Sequence, residues 1–340
     1  VSADDLVEPI IAFSPEGDFD PSPGNPLYVL ANRDLKSRIA YVRGRQDAEL
    51  RRHKTYRPTG TEKASRDKWA ALLKHQPVAE TSAWTALTSV SDPRVDRLMF
   101  SKWSQTNECA ISCYNYYTPP NAPGSAANYP SGCVATAMAQ IMRFWQHPSA
   151  AVGTASFTIS VCGSQQSRSL LGGDGAGGPY DWANMPLDPG CSTTTIQRQA
   201  IGALTHDAAV AVGTDFCSGG SGVDDLARVI TALTDVFGFS NAKLTYNGDN
   251  QLPTDARLRA INPNLHAGHP VLLGIIGGTN GHVVICDGYG YNASTMYHHL
   301  NMGWGGSWNA WYNLPNIDSN PSFDTVAGVI YNIYQSGAGE

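Results

Sequence analysis

Ser131-Gly132-Cys133-Val134-Ala135-Thr136-Ala137-Met138-Ala139-Gln140-Ile141-Met142 sets a glycine before a cysteine and a run of small and apolar residues after it. The run predicts a buried helix from about Gly132 to Gln146, with the thiol over its N-terminus. The first turn of a helix has amide groups without intrahelical partners, and the aligned peptide dipoles add positive potential there. A sulfur in that place gains thiolate character, and the cysteine's own amide can face the oxyanion of a tetrahedral intermediate. A cysteine before an apolar helix also fits a core residue or half a disulfide, so catalysis needs a base within reach.

A second stretch offers one. Gly277-Gly278-Thr279-Asn280-Gly281-His282-Val283-Val284-Ile285-Cys286-Asp287-Gly288-Tyr289 puts a histidine at the mouth of an apolar strand, after a glycine-rich turn. A general base must reach the thiol and have its other ring nitrogen oriented by a third group. Asn301, in His299-Leu300-Asn301-Met302-Gly303-Trp304-Gly305-Gly306, lies one strand further on and is the expected orienting group. Taken singly, these are a strand-end histidine and a turn asparagine; taken with Cys133 they form a catalytic constellation.

The rest of the chain fits an enzyme with an appendage. Its 340 residues are long for one compact domain, and 42 % apolar against 15 % charged residues, with high glycine and proline, suits a loop-rich globular protein. No apolar run of about 18 residues occurs, so no membrane span is expected. The net charge of -6 is unevenly spread: Arg33 to Lys74 holds 13 Lys and Arg against 5 Asp and Glu, whereas the chain after Val95 is net acidic. A basic block can mark nucleic-acid binding or a solvated face. Here Arg and Lys alternate with Leu, Ile, Tyr and Trp beside an acidic partner in the same chain, which favours intramolecular docking and no nucleic acid.

Seven cysteines predict, in an exported protein, up to three bridges and one free thiol, the candidate nucleophile. Cys109 with Cys113, close together in one loop, and Cys162 with Cys191, flanking a glycine-rich excursion, are the expected pairs, with connectivity open. The chain begins at Val1 with no charged leader, so any signal peptide is expected to be removed or to lie outside this sequence. Along the chain, a strand is expected over Leu6 to Phe13, a basic amphipathic helix over Pro26 to His53, and a partly helical linker over residues 54 to 95. Helices are expected over Thr195 to Val212, Asp224 to Phe237 and Asp255 to His266. Strands are expected over Pro270 to Ile276, His282 to Gly288 and Met296 to Met302.

The order Trp103-x-Gln105, Gly132-Cys133-Val134-Ala135-Thr136-Ala137-x-Ala139-Gln140-Ile141-Met142, Gly281-His282-x-x-x-x-Asp287-Gly288 and Asn301-x-Gly303-Trp304-Gly305-Gly306 resembles the streptopain family of papain-like cysteine peptidases. The resemblance runs from about Val95 to about Tyr334. More weakly, residues 1 to about 52 resemble the later part of that family's inhibitory prosegment, without its earlier strands. It implies an α+β papain-like fold over residues 96–340, a helical subdomain with an antiparallel β subdomain, behind a partial prosegment and activation linker over residues 1–95. It implies that Cys133 attacks the scissile carbonyl, that His282 is base and then acid, and that Asn301 orients the imidazole. Gln105 would donate its side-chain amide to the oxyanion, and Trp304 would shield the His282 to Asn301 contact. Read without the resemblance, Gln105 is a surface glutamine and Trp304 a core residue.

Asp215 to Gly222 resembles the family's pocket-side loop, which makes Phe216 and Ser221, with Gly281 beside the base, the candidate substrate contacts and implies a preference for an apolar residue one position before the scissile one. Met302 stands where the family often has an aromatic residue, and the Cys109 to Cys113 insert interrupts the run into Tyr114; both bear on subsite shape and not on the reaction. The resemblance implies no cofactor and no metal, protein or peptide substrates, the chain's own prosegment as partner, and secretion.

Weaker signals carry less. The glycines from Gly172 to Gly178 lack the Lys and Ser or Thr of a phosphate loop and read as a flexible surface loop. His298 and His299 beside Cys286 suggest zinc only superficially, because neighbours on a strand point to opposite faces. Nothing supports calcium at Asp224, Asp225 or Asn247 to Asn250. Asn292-Ala293-Ser294 fits a glycosylation sequon. Two other readings stay open: a catalytically silent papain-like binding module, and an amidase or acyltransferase using the same dyad.

Overall fold

The computed structural model describes residues 6–7, 26–53, 55–73, 85–293 and 295–335. Internal contacts divide the chain into two compact units, Val1–Ser82 and Ala83–Glu340. Apart from Leu6 and Val7, the strand expected over Leu6 to Phe13 lies outside the described residues, as do residues 74–84 of the linker and Ser294 of the sequon.

The first unit contains two helices, α1 (Pro26–His53) and α2 (Gly60–Leu73). The helix expected over Pro26 to His53 is α1, and α2 is the helical part of the linker. Thr59 and Glu62 cap α2 reciprocally: the Thr59 amide donates to Glu62 Oε2 at 2.7 Å and the Glu62 amide to Thr59 Oγ1 at 3.3 Å. The same carboxylate receives Arg45 of α1, whose guanidinium also reaches Glu49 at 2.9 Å and Tyr56 at 2.8 Å. Burial alone pushes the Glu62 carboxyl up, but hydrogen bonds from Arg45, Tyr56 and Thr59 outweigh it and bring the carboxyl down to about 2.

The second unit has a helical and a sheet half. After β1 (Asp92–Val95), a short hairpin of β2 (Asn107–Glu108) and β3 (Ile111–Ser112) leads to α3 (Cys133–Trp145). A second hairpin, β4 (Ser156–Val161) and β5 (Ser164–Ser169), precedes α4 (Thr195–Ala211) and β6 (Asp215–Phe216). The helix expected over Asp224 to Phe237 forms as two pieces, α5 (Ala227–Thr231) and a wide π turn over Ala232–Val236. Then follow β7 (Lys243–Tyr246), α6 (Thr254–His266), β8 (Val271–Gly277), β9 (Asn280–Asn292), β10 (Thr295–Asn301), β11 (Ala310–Tyr312) and β12 (Thr325–Tyr331).

The strands form a sheet in the order β11-β10-β9-β8-β12-β7, with β1 also paired to β9, and every pairing is antiparallel. Strand β9 reads as a continuous apolar run because both its faces are covered. Val283 and Ile285 join the core built on α3 and α4, while the intervening Val284 and Cys286 join a second core with Leu273, Ile275, Val326 and Val329. The fold is thus the expected α+β arrangement of a helical half against an antiparallel sheet.

Both disulfides differ from the expected pairs: Cys109 bonds Cys191, and Cys162 bonds Cys217. The reason is turn geometry. Cys109 and Ala110 form the two-residue turn between β2 and β3, with φ of 50° and 61°, so Cys109 sits at the hairpin tip while Cys113 continues into the core, fully buried. Cys162, with Gly163, is the turn between β4 and β5, and β6 pairs in parallel with β4 so that Val161 lies opposite Phe216. The next residue on each strand is a cysteine. Three thiols, those of Cys113, Cys133 and Cys286, stay free where one was expected. The glycine-rich loop over Gly172 to Gly178 is pinned: the buried Asp207 carboxylate accepts the Leu171 and Gly172 amides and the Tyr180 hydroxyl, each at 2.8 Å. Asp174 accepts the amides of Ala176 and Gly178.

Among the described residues no helix is long and apolar enough to cross a membrane.

Candidate active site

Helix α3 begins at Cys133, after Gly132 at φ 90° and ψ 158°. A Cβ on Gly132 would lie 2.7 Å from the Ser221 carbonyl oxygen, so only glycine allows this loop to pass so close to Cys133. Cys133 as a residue is half-buried. Burial pushes it up, yet a hydrogen bond and the charge of His282, with amides of Val283 and Val134, overcome that penalty and hold it below the usual thiol value. The other two free thiols go the opposite way: burial pushes Cys113 up to about 12 and Cys286 well above its ordinary value. Electrostatics therefore single out Cys133.

His282 stands near the start of β9, 8 % exposed. Its Nε2 lies 2.8 Å from the Met302 carbonyl oxygen. A carbonyl only accepts, so Nε2 carries the proton of the bond to Met302 and Nδ1 is the ring nitrogen left for another partner. The Trp304 ring stacks on the imidazole with centroids 4.7 Å apart and planes 23° apart, and Phe323 lies 5.8 Å away at 20°. Trp304 is thus placed to shield the His282 to Met302 contact, rather than one to Asn301.

Asn301 does not touch the imidazole, which corrects its expected role. Its Nδ2 donates to the Ser101 carbonyl at 2.7 Å and to Gln140 Oε1 at 3.1 Å, and its Oδ1 accepts the Gly303 amide at 3.0 Å. That amide belongs to the same peptide unit as the Met302 carbonyl. In a trans peptide the N–H and C=O point in opposite directions, so Asn301 grips one edge of the plane whose other edge holds His282. The Met302 amide is fixed in turn by Asn309 Oδ1 at 2.9 Å.

Gln105 lies in a loop stapled to the foot of α3. Its carbonyl accepts the Ser131 amide at 2.8 Å and the Ser131 hydroxyl at 3.2 Å, and Thr136 Oγ1 donates to the Ser104 carbonyl at 3.2 Å. The Gly305 amide donates to the Trp103 carbonyl at 3.1 Å, which ties the Trp304 loop to the Gln105 loop. Ser221 is 9 % exposed, and its loop is closed by mutual Asp215 and Gly222 backbone bonds of 2.9 and 3.1 Å. Phe216 is fully buried in the helical core, so its side chain offers no surface to a substrate; this corrects its assignment as a contact. Gly281 is exposed beside His282.

Sequence reasoning missed the Met302 carbonyl, the Ser131 and Thr136 staples, Asn309 and Phe323. A backbone acceptor has no residue signature, whereas Ser131 and Thr136 flank Cys133 and were open to a capping analysis. Among the described residues no group of three His, Cys, Asp or Glu could hold a metal ion. His299 pairs with Asp287 at 2.6 Å, while His298 pairs with Asn262 at 2.9 Å.

The Peptidase C10 family model matches residues 103–312. The thiol protease/hemagglutinin PrtT of Porphyromonas gingivalis is 30 % identical over 209 residues, 62 % of this chain and 23 % of that protein. Streptopain of Streptococcus pyogenes is 27 % identical over 277 residues, 78 % of this chain and 66 % of that protein. In fold, the active interpain A cysteine protease of Prevotella intermedia superimposes with a TM-score of 0.58 at 24 % identity, covering 71 % of this chain and 95 % of that one. A prointerpain A fragment does so with a TM-score of 0.55 at 22 % identity, covering 79 % and 82 %. With a cysteine at the start of a helix beside a strand-borne histidine, and the family model matching well over half its length, the chain belongs to the Peptidase C10 family, the streptopain family of papain-like cysteine peptidases.

Proposed function

We propose that this chain is the proform of a secreted cysteine endopeptidase in which Cys133 and His282 form a thiolate and imidazolium pair. The observation that carries the reading is the lowered Cys133 thiol beside His282, whose Nε2 is committed to Met302. The thiolate attacks the scissile carbonyl carbon, and the carbonyl π electrons move onto oxygen. The Cys133 amide and the Gln105 side chain donate to that oxyanion. As the tetrahedral intermediate collapses, the C–N bond breaks and Nδ1 of His282 gives its proton to the leaving amine. Water, deprotonated by the now neutral imidazole, then cleaves the thioester and restores the pair. Asn301 acts on His282 through the Met302–Gly303 peptide, which makes it a positioning residue.

The loop from Cys217 to Gly222 carries no charged side chain and lies against Gly132, which supports a preference for an apolar residue one position before the scissile one. The basic stretch of the first unit, with 13 Lys and Arg against 5 acids over Arg33 to Lys74, supports a role for that unit as a prosegment for the acidic second unit, removed by cleavage between them. The two disulfides support export.

The test pairs this chain with its Cys133→Ala variant under mild reduction, following intact mass and hydrolysis of a fluorogenic peptide with an apolar residue before the scissile one. The parent is expected to shed roughly its first quarter and gain activity while the variant does neither. A parent trimmed by an added protease that still hydrolyses no member of a varied peptide library would end the peptidase reading.

A further inference from the structure

Gln140 lies two turns along α3 from Cys133, about 10 Å further down the axis and about 20° round from it. It is fully buried. Its Oε1 accepts the Ser101 hydroxyl at 2.8 Å and Asn301 Nδ2 at 3.1 Å, and the same Nδ2 donates to the Ser101 carbonyl at 2.7 Å. The three residues close a ring whose atoms are fixed by its neighbours. The Ser101 carbonyl only accepts and the Gly303 amide only donates, so Asn301 turns Nδ2 into the ring and Oδ1 towards Gly303. The Gln140 atom that meets Nδ2 is therefore the acceptor, Oε1.

This ring gathers three parts of the site. Gln140 belongs to the helix that begins at Cys133, Ser101 to the segment that runs into Gln105, and Asn301 to the end of β10, from which it grips the Met302–Gly303 peptide. Thr136 ties the first turn of α3 to Ser104. Among the described residues, however, Gln140 is the only α3 side chain bonded to Asn301. Its Nε2 has no partner there. A buried amide satisfied at one end costs stability that a methionine of similar volume would not. Such a half-satisfied group is expected where function, and not stability, sets the residue.

We propose that Gln140 is a positioning residue, which through Asn301 and the Met302–Gly303 peptide sets His282 relative to the helix that carries Cys133. The inference rests on the proposed pairing of Cys133 with His282. The bond from Oε1 stops the Asn301 side chain from turning about its own torsions, so the peptide plane keeps its register with α3.

Gln140→Met is compared with the parent, with Asn301→Ala and with the double variant, each as the full chain. Two rates are read: alkylation of Cys133 by iodoacetamide against pH, which needs no peptide hydrolysis, and kcat/KM per titrated active site after the processing described above. Gln140→Met is expected to melt close to the parent, since losing the unpaired Nε2 offsets the Ser101 hydroxyl left without its acceptor. It should nevertheless be alkylated and turn over roughly 3- to 10-fold more slowly on the acid side of the profile. In the Asn301→Ala background it should add less than about twofold, because the path to His282 is already cut. Should Gln140→Met not fold, the pair Ser101→Ala with Gln140→Met, which strands no hydroxyl, takes its place against Ser101→Ala. The proposal is overturned if both forms fail to fold, which makes Gln140 a stability residue, if a folded form keeps both rates within twofold of its reference, or if the loss persists in full beside Asn301→Ala. A chain that hydrolyses no peptide, yet whose Cys133 alkylation responds to Gln140→Met in the expected way, ends the peptidase reading and leaves the positioning of His282 standing.

Discussion

Asn301→Ala tests whether the imidazole is held through a peptide plane. The substitution removes the acceptor of the Gly303 amide and the donor to Ser101 and Gln140. The Met302–Gly303 unit then loses the bond on one edge, and the Met302 carbonyl is free to turn away from His282 Nε2, which it now meets at 2.8 Å. A hydrogen bond to a charged imidazolium is worth about 1.5–3 kcal/mol, so its complete loss lowers kcat/KM by roughly 10- to 150-fold. The buried partners left behind also destabilise the fold by about 1–3 kcal/mol, so active sites are titrated before rates are compared. The pH profile separates positioning from mere loss of stability. The Cys133 thiol is kept below its usual value by the hydrogen bond and charge of His282, so a loosened imidazole lets it rise, and the acid limb of kcat/KM moves to higher pH. If the titrated Asn301→Ala enzyme stays within twofold of the parent with an unmoved acid limb, the peptide-plane reasoning is wrong.

Three other outcomes follow from the geometry. Gly132→Ala should lose most activity and about 1–3 kcal/mol of stability, since its Cβ meets the Ser221 carbonyl oxygen at 2.7 Å and φ is 90°; denaturant melts and peptide hydrolysis check it. Iodoacetamide on the native chain should label Cys133 alone, with Cys113 and Cys286 reacting only after denaturation, because burial raises both; peptide mapping by mass spectrometry reads this. Acid should loosen the first unit through Glu62: its folded value of about 2 lies below the ordinary glutamate value of 4.5, so its contribution is complete above about pH 4.5 and vanishes as pH falls through about 2. Helical signal followed from pH 5 to 2 should lose that component in Glu62→Gln.

How much of this was legible depended on whether side chains or main chain did the work. The apolar run after Cys133 and the glycine turn before His282 carry their own signals, so α3, β8 and β10 fall within one residue of the expected bounds at each end, and β9 runs two residues earlier and four later than expected. Asn301 was found for the right neighbourhood and the wrong contact, because the atom that meets the imidazole is a carbonyl that any residue at position 302 would supply. The disulfides were misread because proximity in sequence ignores which cysteine a two-residue turn sends outward. Phe216 was misassigned since a β strand two residues long gives no alternation by which to tell its buried face from its open one. In the β4–β5 hairpin the second strand, of Ser, Gln and Arg, has no apolar alternation, whereas the Ser-Phe-Thr-Ile-Ser-Val of β4 alternates and was open to reading.

The placement of the sulfur atoms sets a two-sided requirement on the surroundings in which this protein works. Both bridges lie in the helical half, and one of them anchors the loop that passes Cys133, while the proposed reaction needs Cys133 as a free thiolate. Too oxidising a medium caps the one sulfur that must stay reduced; too reducing a medium opens the four that must stay joined. Activity plotted against redox potential should therefore trace a plateau with two edges, the upper set by Cys133 and the lower by the hairpin tips.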